Sequence, residues 1–167
     1  MAIRPILEYP DPKLREIAVP VLEVDDDIRK LVEDMAETMY AAPGVGLAAP
    51  QIGVSRRVFV IDIADENEAS QFRAYINPEI VESIGAQSWK EGCLSFPGVA
   101  EQIKRAERVR VRALGADGQA FELEADGLLA VAIQHENDHL NGVLMIDKVG
   151  PIQRRRMGKK LSEHKRA

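Results

Sequence analysis

Gln134-His135-Glu136-Asn137-Asp138-His139 is an H-E-x-x-H sequence inside a run that reads as helix. Residues four apart stand one above the other on a helix face, so His135 and His139 can present two imidazole nitrogens to one metal ion. Glu136 sits beside them, within reach of a proton on a water that such an ion activates. The chain has three histidines, and two of them are spent on this turn. That scarcity favours a metal site over a pair of surface histidines on a polar helix.

The pattern extends upstream. Leu128, Val131, Ala132 and His135 fall on one face of the same helix, so the metal-binding side continues into an apolar stripe. Asp126 is placed to cap that helix. Before it, Arg108-Val109-Arg110-Val111-Arg112-Ala113-Leu114 alternates basic and apolar residues, and Asp117-Gly118 turns it into a hairpin with Ala120-Phe121-Glu122-Leu123-Glu124. Arg57 to Asp62 reads as a buried strand. Ala74-Tyr75-Ile76 and Glu79-Ile80-Val81-Glu82 read as two further strands, interrupted at Asn77-Pro78. Near the N-terminus, Asp11-Pro12 opens a short helix to about Ile17. Asp25-Asp26-Asp27 starts a longer one, carrying Ile28, Leu31, Val32, Met35 and Met39 and ending before Pro43-Gly44. Pro151 to about His164 reads as a basic helix.

Length and composition fit one soluble globular domain with a real core: 167 residues, 46% hydrophobic and 29% charged. No apolar run approaches membrane-spanning length, and Met1-Ala2-Ile3-Arg4-Pro5 lacks the apolar core of a secretory signal. A single cysteine, Cys93, rules out an intrachain disulfide and suits a reducing cytoplasm. The net charge of −5 argues against a surface devoted to nucleic acid, and no DNA role is expected. That charge is unevenly spread. Residues 150–167 carry +6 and residues 1–149 carry −11, which suggests a catalytic body at 1–149 with a basic contact segment appended at 150–167.

Two histidines need a third protein ligand, with one coordination position left open for chemistry. Asp138 and Asp147 are possible donors. Cys93 is another, in the polar, glycine-containing stretch Glu91-Gly92-Cys93-Leu94-Ser95, where a nearby cation would stabilise its thiolate. A further segment, Gly44-Val45-Gly46-Leu47-Ala48-Ala49-Pro50-Gln51, is a loop of small residues ending in an uncharged polar side chain. It lacks the Gly-Lys-Ser/Thr ending of a phosphate-binding loop, and turn chemistry alone reads it as a tight connection.

Together these three segments, in this order, resemble the motifs of peptide deformylase. The similarity runs from Tyr9-Pro10-Asp11-Pro12 to Asp147. It implies an α+β fold, with antiparallel β-sheets packed around a central metal-binding helix and a C-terminal helix. It implies hydrolytic removal of the formyl group from N-formylmethionyl nascent peptides. It further implies that Cys93, His135 and His139 hold one divalent ion, Fe2+, for which Ni2+, Co2+ or Zn2+ can substitute. Gln51 and the backbone N–H of Leu94 would act as oxyanion donors, and Glu136 as general base and acid. One departure stands out: Asn137 occupies a position usually apolar in that family, about 200° around the helix from His135.

On this reading the substrate backbone pairs with main-chain groups around Val45, Gly46 and Gly92. The methionine side chain enters an apolar pocket lined by Leu128, Val131 and Ala132, with Trp89 at its wall. The basic segment 151–167 is expected to contact the ribosome, where the substrate first appears. Three other readings share part of the pattern. They are a zinc endopeptidase, a noncatalytic metal-binding module and a redox sensor, and the last lacks a resolving partner for Cys93.

Overall fold

The computed structural model describes residues 2–166. Asp11 accepts a hydrogen bond from the Lys13 N–H and opens a 3-10 helix at Pro12–Arg15. Asp25 caps helix α1 (Asp26–Ala41) by accepting from the Ile28 N–H at 3.0 Å, and Asp26 and Asp27 complement the helix dipole. Strands β1 (Gly46–Ala48), β2 (Val58–Ile61), β3 (Arg73–Ile84), β4 (Gln87–Cys93), β5 (Phe96–Arg105), β6 (Arg108–Leu114) and β7 (Ala120–Asp126) follow, then helices α2 (Gly127–Leu140) and α3 (Pro151–Arg166). Five strands form one antiparallel sheet in the order β1-β2-β3-β6-β7, while β4 and β5 form a separate hairpin. The architecture is α+β.

Alternation along β2 decides the layering. Val58 and Val60 face α1, packing with Leu31, Val32, Met35 and Met39. Phe59 and Ile61 face the other way and pack with Ala130, Ile133 and Leu140 of α2. At β2 the sheet is thus covered on both faces, which is why that strand reads as a continuous apolar run. On β6, Val109, Val111 and Ala113 turn inward toward α2, and on the opposite face Arg110 meets Glu82 and Glu122. A third cluster joins Phe96, Val99 and Ile103 of β5 to Met157 and Leu161 of α3.

Four expectations change. The two strands around Asn77-Pro78 are one strand with a register shift there. Asn77 takes a left-handed backbone (φ 51°), and its side chain exchanges hydrogen bonds with the Val21 N–H and C=O. Asp126 occupies the N-cap position of α2 without a side-chain capping bond. The hairpin β4–β5 and the three-residue β1 were not legible as strands. The basic C-terminal segment is not an appendage standing off the body. Met157 and Leu161 are buried, and Arg156 pairs with buried Glu101 through two contacts of 2.6 and 2.7 Å.

Candidate active site

Helix α2 and the end of β4 bring the sequence motifs together. One donor atom each from Cys93, His135 and His139 lies within 4.8 Å of the other two. Cys93 Sγ is 3.4 Å from His139 Nε2. The other third-ligand candidates are engaged elsewhere: Asp138 with Arg105, and Asp147 with Arg15. Cys93 ends a polar strand, half-buried, just before the Leu94-Ser95 turn into β5.

His135 is aimed by residues that the sequence did not single out. Its Nδ1 lies 3.0 Å from Glu91 Oε1, which leaves the opposite ring nitrogen for the cluster. Glu91 in turn receives both Nε and Nη2 of Arg105, and Arg105 Nη1 reaches Asp138 on α2. Glu91 and Arg105 are buried. Burial pushes the Glu91 carboxyl up, but the hydrogen bonds from His135 and Arg105 outweigh it and hold it below its ordinary value. In sequence each looks like a surface charge. The one available signal was that Glu91 lies two residues before the candidate thiolate, on the strand that carries it.

The electrostatics suit a cation. Burial would discharge His135, yet the Cys93 sulfur and the carboxylates of Glu91 and Glu136 hold its proton well above the ordinary range. His139, buried beside that charge and Arg105, is held well below it. A cysteine sulfur and two imidazoles converging at one point form a donor set that fits Fe2+, Co2+, Ni2+ or Zn2+.

Glu136 is buried and pushed up to about 7, mainly by desolvation. Its Oε1 has no hydrogen-bond partner among the described residues. Oε2 lies against Gly46, where an added Cβ would sit 2.6 Å away, so a side chain at that position of β1 would displace the carboxyl. Gln51 is buried in the 3-10 helix Ala49–Ile52. Its Oε1 accepts from the Ala48 N–H at 2.9 Å, and its Nε2 donates to Ser95 Oγ at 3.0 Å with Cys93 Sγ at 3.7 Å. The amide donors therefore face the cluster.

Two cavities meet at His135 and Glu136. A cleft of about 800 Å³ runs past Val45, Gly46, Gln51, Gly92, Cys93 and Leu94. A smaller cavity of about 220 Å³ is lined by Val45, Trp89, Gly92, Leu128, Val131 and Ala132. All the substrate-contact residues expected from sequence thus line one cavity or the other. Asn137 lines neither, and its Oδ1 is buried without a partner among the described residues.

Comparison with known proteins points to one family. The sequence profile of the polypeptide deformylase family matches residues 3–155. The chain is 55% identical over 163 residues to a peptide deformylase of Alkalilimnicola ehrlichii, covering 98% of this chain and 91% of that one. It is 52% identical to peptide deformylase 1 of Burkholderia multivorans, covering 100% and 92%. The crystal structure of a peptide deformylase from Legionella pneumophila superposes with a TM-score of 0.93 at 50% identity, over 99% of this chain and 96% of that one. That of the Ehrlichia chaffeensis enzyme in complex with actinonin gives 0.93 at 38% identity, over 100% of each.

Proposed function

The chain belongs to the peptide deformylase family of hydrolases, and from that premise we propose that it removes the formyl group from N-formylmethionyl nascent peptides, with Glu136 carrying the proton. The observation that supports this most is the unpartnered, buried Glu136 carboxyl beside a cysteine and two histidines, where two cavities meet. A divalent ion held by Cys93, His135 and His139, with Fe2+ the proposed resident and Ni2+, Co2+ or Zn2+ able to substitute, supplies Lewis acidity and makes a water nucleophilic near neutral pH.

The chain's own residues do the rest. Glu136, near 7, accepts a proton from the attacking water at Oε1. Gln51 Nε2 and the Leu94 N–H donate to the formyl oxygen as it gains negative charge, and losing one such donor costs ~10²–10³-fold in turnover. As the C–N bond breaks, Glu136 returns the proton to the departing amine, so formamide and water become formate and a free N-terminus. Val45 and the start of edge strand β1 at Gly46, together with Gly92 of β4, offer main-chain groups to an extended peptide. The smaller cavity suits one side chain, and Leu128, Val131, Ala132 and Trp89 give it the apolar wall a methionine needs.

The test compares formyl-Met-Ala-Ser, acetyl-Met-Ala-Ser and casein with the metal-loaded protein. Formate release from the first, and neither deacetylation nor casein cleavage, supports the reading; casein cleavage without formate release would make it an endopeptidase.

Among the described residues no helix is long and apolar enough to cross a membrane. We propose a cytoplasmic site of action, at the ribosome, since the substrate is a nascent chain. Contact would run through the exposed basic face of α3, where Arg155 and Lys159 are exposed and pair with no acid among the described residues, while Arg156 is tied to Glu101. Because α3 also buries core residues, charge reversal at Arg155 and Lys159 is a cleaner test than truncation. It should abolish co-sedimentation with ribosomes at moderate salt while hydrolysis of short peptides persists. Unchanged co-sedimentation would remove the ribosome contact.

A further inference from the structure

Trp89 and Leu128 are half-open walls of the smaller cavity, 38% and 37% exposed. They come from different elements, Trp89 from β4 and Leu128 from the first turn of α2. One side chain spans them. Gln87 Oε1 accepts the indole N–H of Trp89 at 2.7 Å. Its Nε2 lies within donating distance of three carbonyls: Ala106 at 3.1 Å, Glu107 at 3.2 Å and Gly127 at 3.3 Å. The partners settle which end of the amide is which, because the indole can only donate and the carbonyls can only accept. Gly127 immediately precedes Leu128.

We propose that Gln87 is a positioning residue for side-chain selectivity, setting the width of the cavity mouth by tying Trp89 to the start of the helix that carries Leu128. This rests on the reading of that cavity as the pocket for the substrate's first side chain. Without the bond, an indole on a mostly exposed strand has nothing polar to fix its ring plane. The main chain of β4 is already paired with β5, so the backbone stays while the ring moves. Gln87 touches neither the cysteine–histidine cluster nor Glu136. Its effect falls on which side chain is accepted, and on KM before kcat.

Trp89 is the sole tryptophan, so its fluorescence reports this contact directly. Gln87→Ala should shift its emission to the red and raise its quenching by acrylamide. The preference for formyl-Met-Ala-Ser over formyl-Ala-Ala-Ser, measured as the ratio of kcat/KM, should fall about threefold to tenfold, chiefly through KM, with metal content unchanged. Gln87→Glu keeps an acceptor for the indole but can no longer donate to the carbonyls, and should shift the ratio likewise. In a Trp89→Phe background, Gln87→Ala should add little, because the residue acts through the indole. If Trp89→Phe or Leu128→Ala changes the ratio and Gln87→Ala does not, the assignment of Gln87 is overturned while the pocket reading stands. If none of the three changes it, the pocket reading falls, and the assignment with it.

Discussion

Glu91 Oε1 lies 3.0 Å from His135 Nδ1, and that contact links the strand that delivers the thiolate to the helix that delivers the imidazoles. Each element alone would present its donor in an unconstrained orientation. Arg105, bonded to Glu91 and to Asp138, locks the two together.

Glu91→Gln should therefore weaken metal affinity by about 10–100-fold, since the carboxylate no longer fixes the His135 ring. It should also lower stability, because Arg105 stays buried with less charge around it. Competition with a chelator and thermal melting read the two effects separately. An unchanged dissociation constant would mean that His135 is oriented by something else.

Gly46→Ala places a methyl group 2.6 Å from Glu136 Oε2, too close for the carboxyl to stay where it is. The carboxyl must swing away, so kcat/KM should fall by about 10²-fold with the ion retained. Full activity would show that Glu136 works from another position.

Asn137→Leu should leave formate release near the wild-type rate and raise stability on the order of 1 kcal/mol, because it removes a buried oxygen without a partner. A large loss of turnover with the fold intact would give Asn137 a role in the chemistry.

The docking of α3 should be acid-sensitive. The hydrogen bonds from Arg156 hold the Glu101 carboxyl below its ordinary value, against the opposing push of burial. A carboxyl with a lowered folded pKa contributes stability that is fully present above its unfolded value, about 4.3, and lost as pH falls through the folded value. Asp34, held down by Arg4, has the same sign. Stability should decline as pH drops below that range, and less steeply in Glu101→Gln. Parallel pH profiles for the two proteins would contradict it.

Much of the frame was legible because burial wrote it into the periodicity. The apolar run of β2, the alternation of β6 and the heptad-like spacing of α1 each face a core. The hairpin β4–β5 was not legible, for a physical reason. Gln87–Cys93 is mostly exposed and held by pairing rather than by a buried face, and Pro97-Gly98 in β5 reads as a turn. His135, His139 and Glu136 came from motif chemistry, and Cys93 as the third donor from the family resemblance. Glu91 and Arg105 did not, because a buried ion pair is visible only once the chain has folded its two strands together.

The central claim is that Glu136 moves the proton at a site built by Cys93, His135 and His139. Its most direct test is formate release from formyl-Met-Ala-Ser by wild-type and Glu136→Ala protein, purified without oxygen and assayed for metal in the same samples. The account predicts about one divalent ion per chain in both, with turnover in the variant below about a hundredth of wild type. A metal-loaded variant that keeps more than about a tenth of wild-type turnover would contradict it.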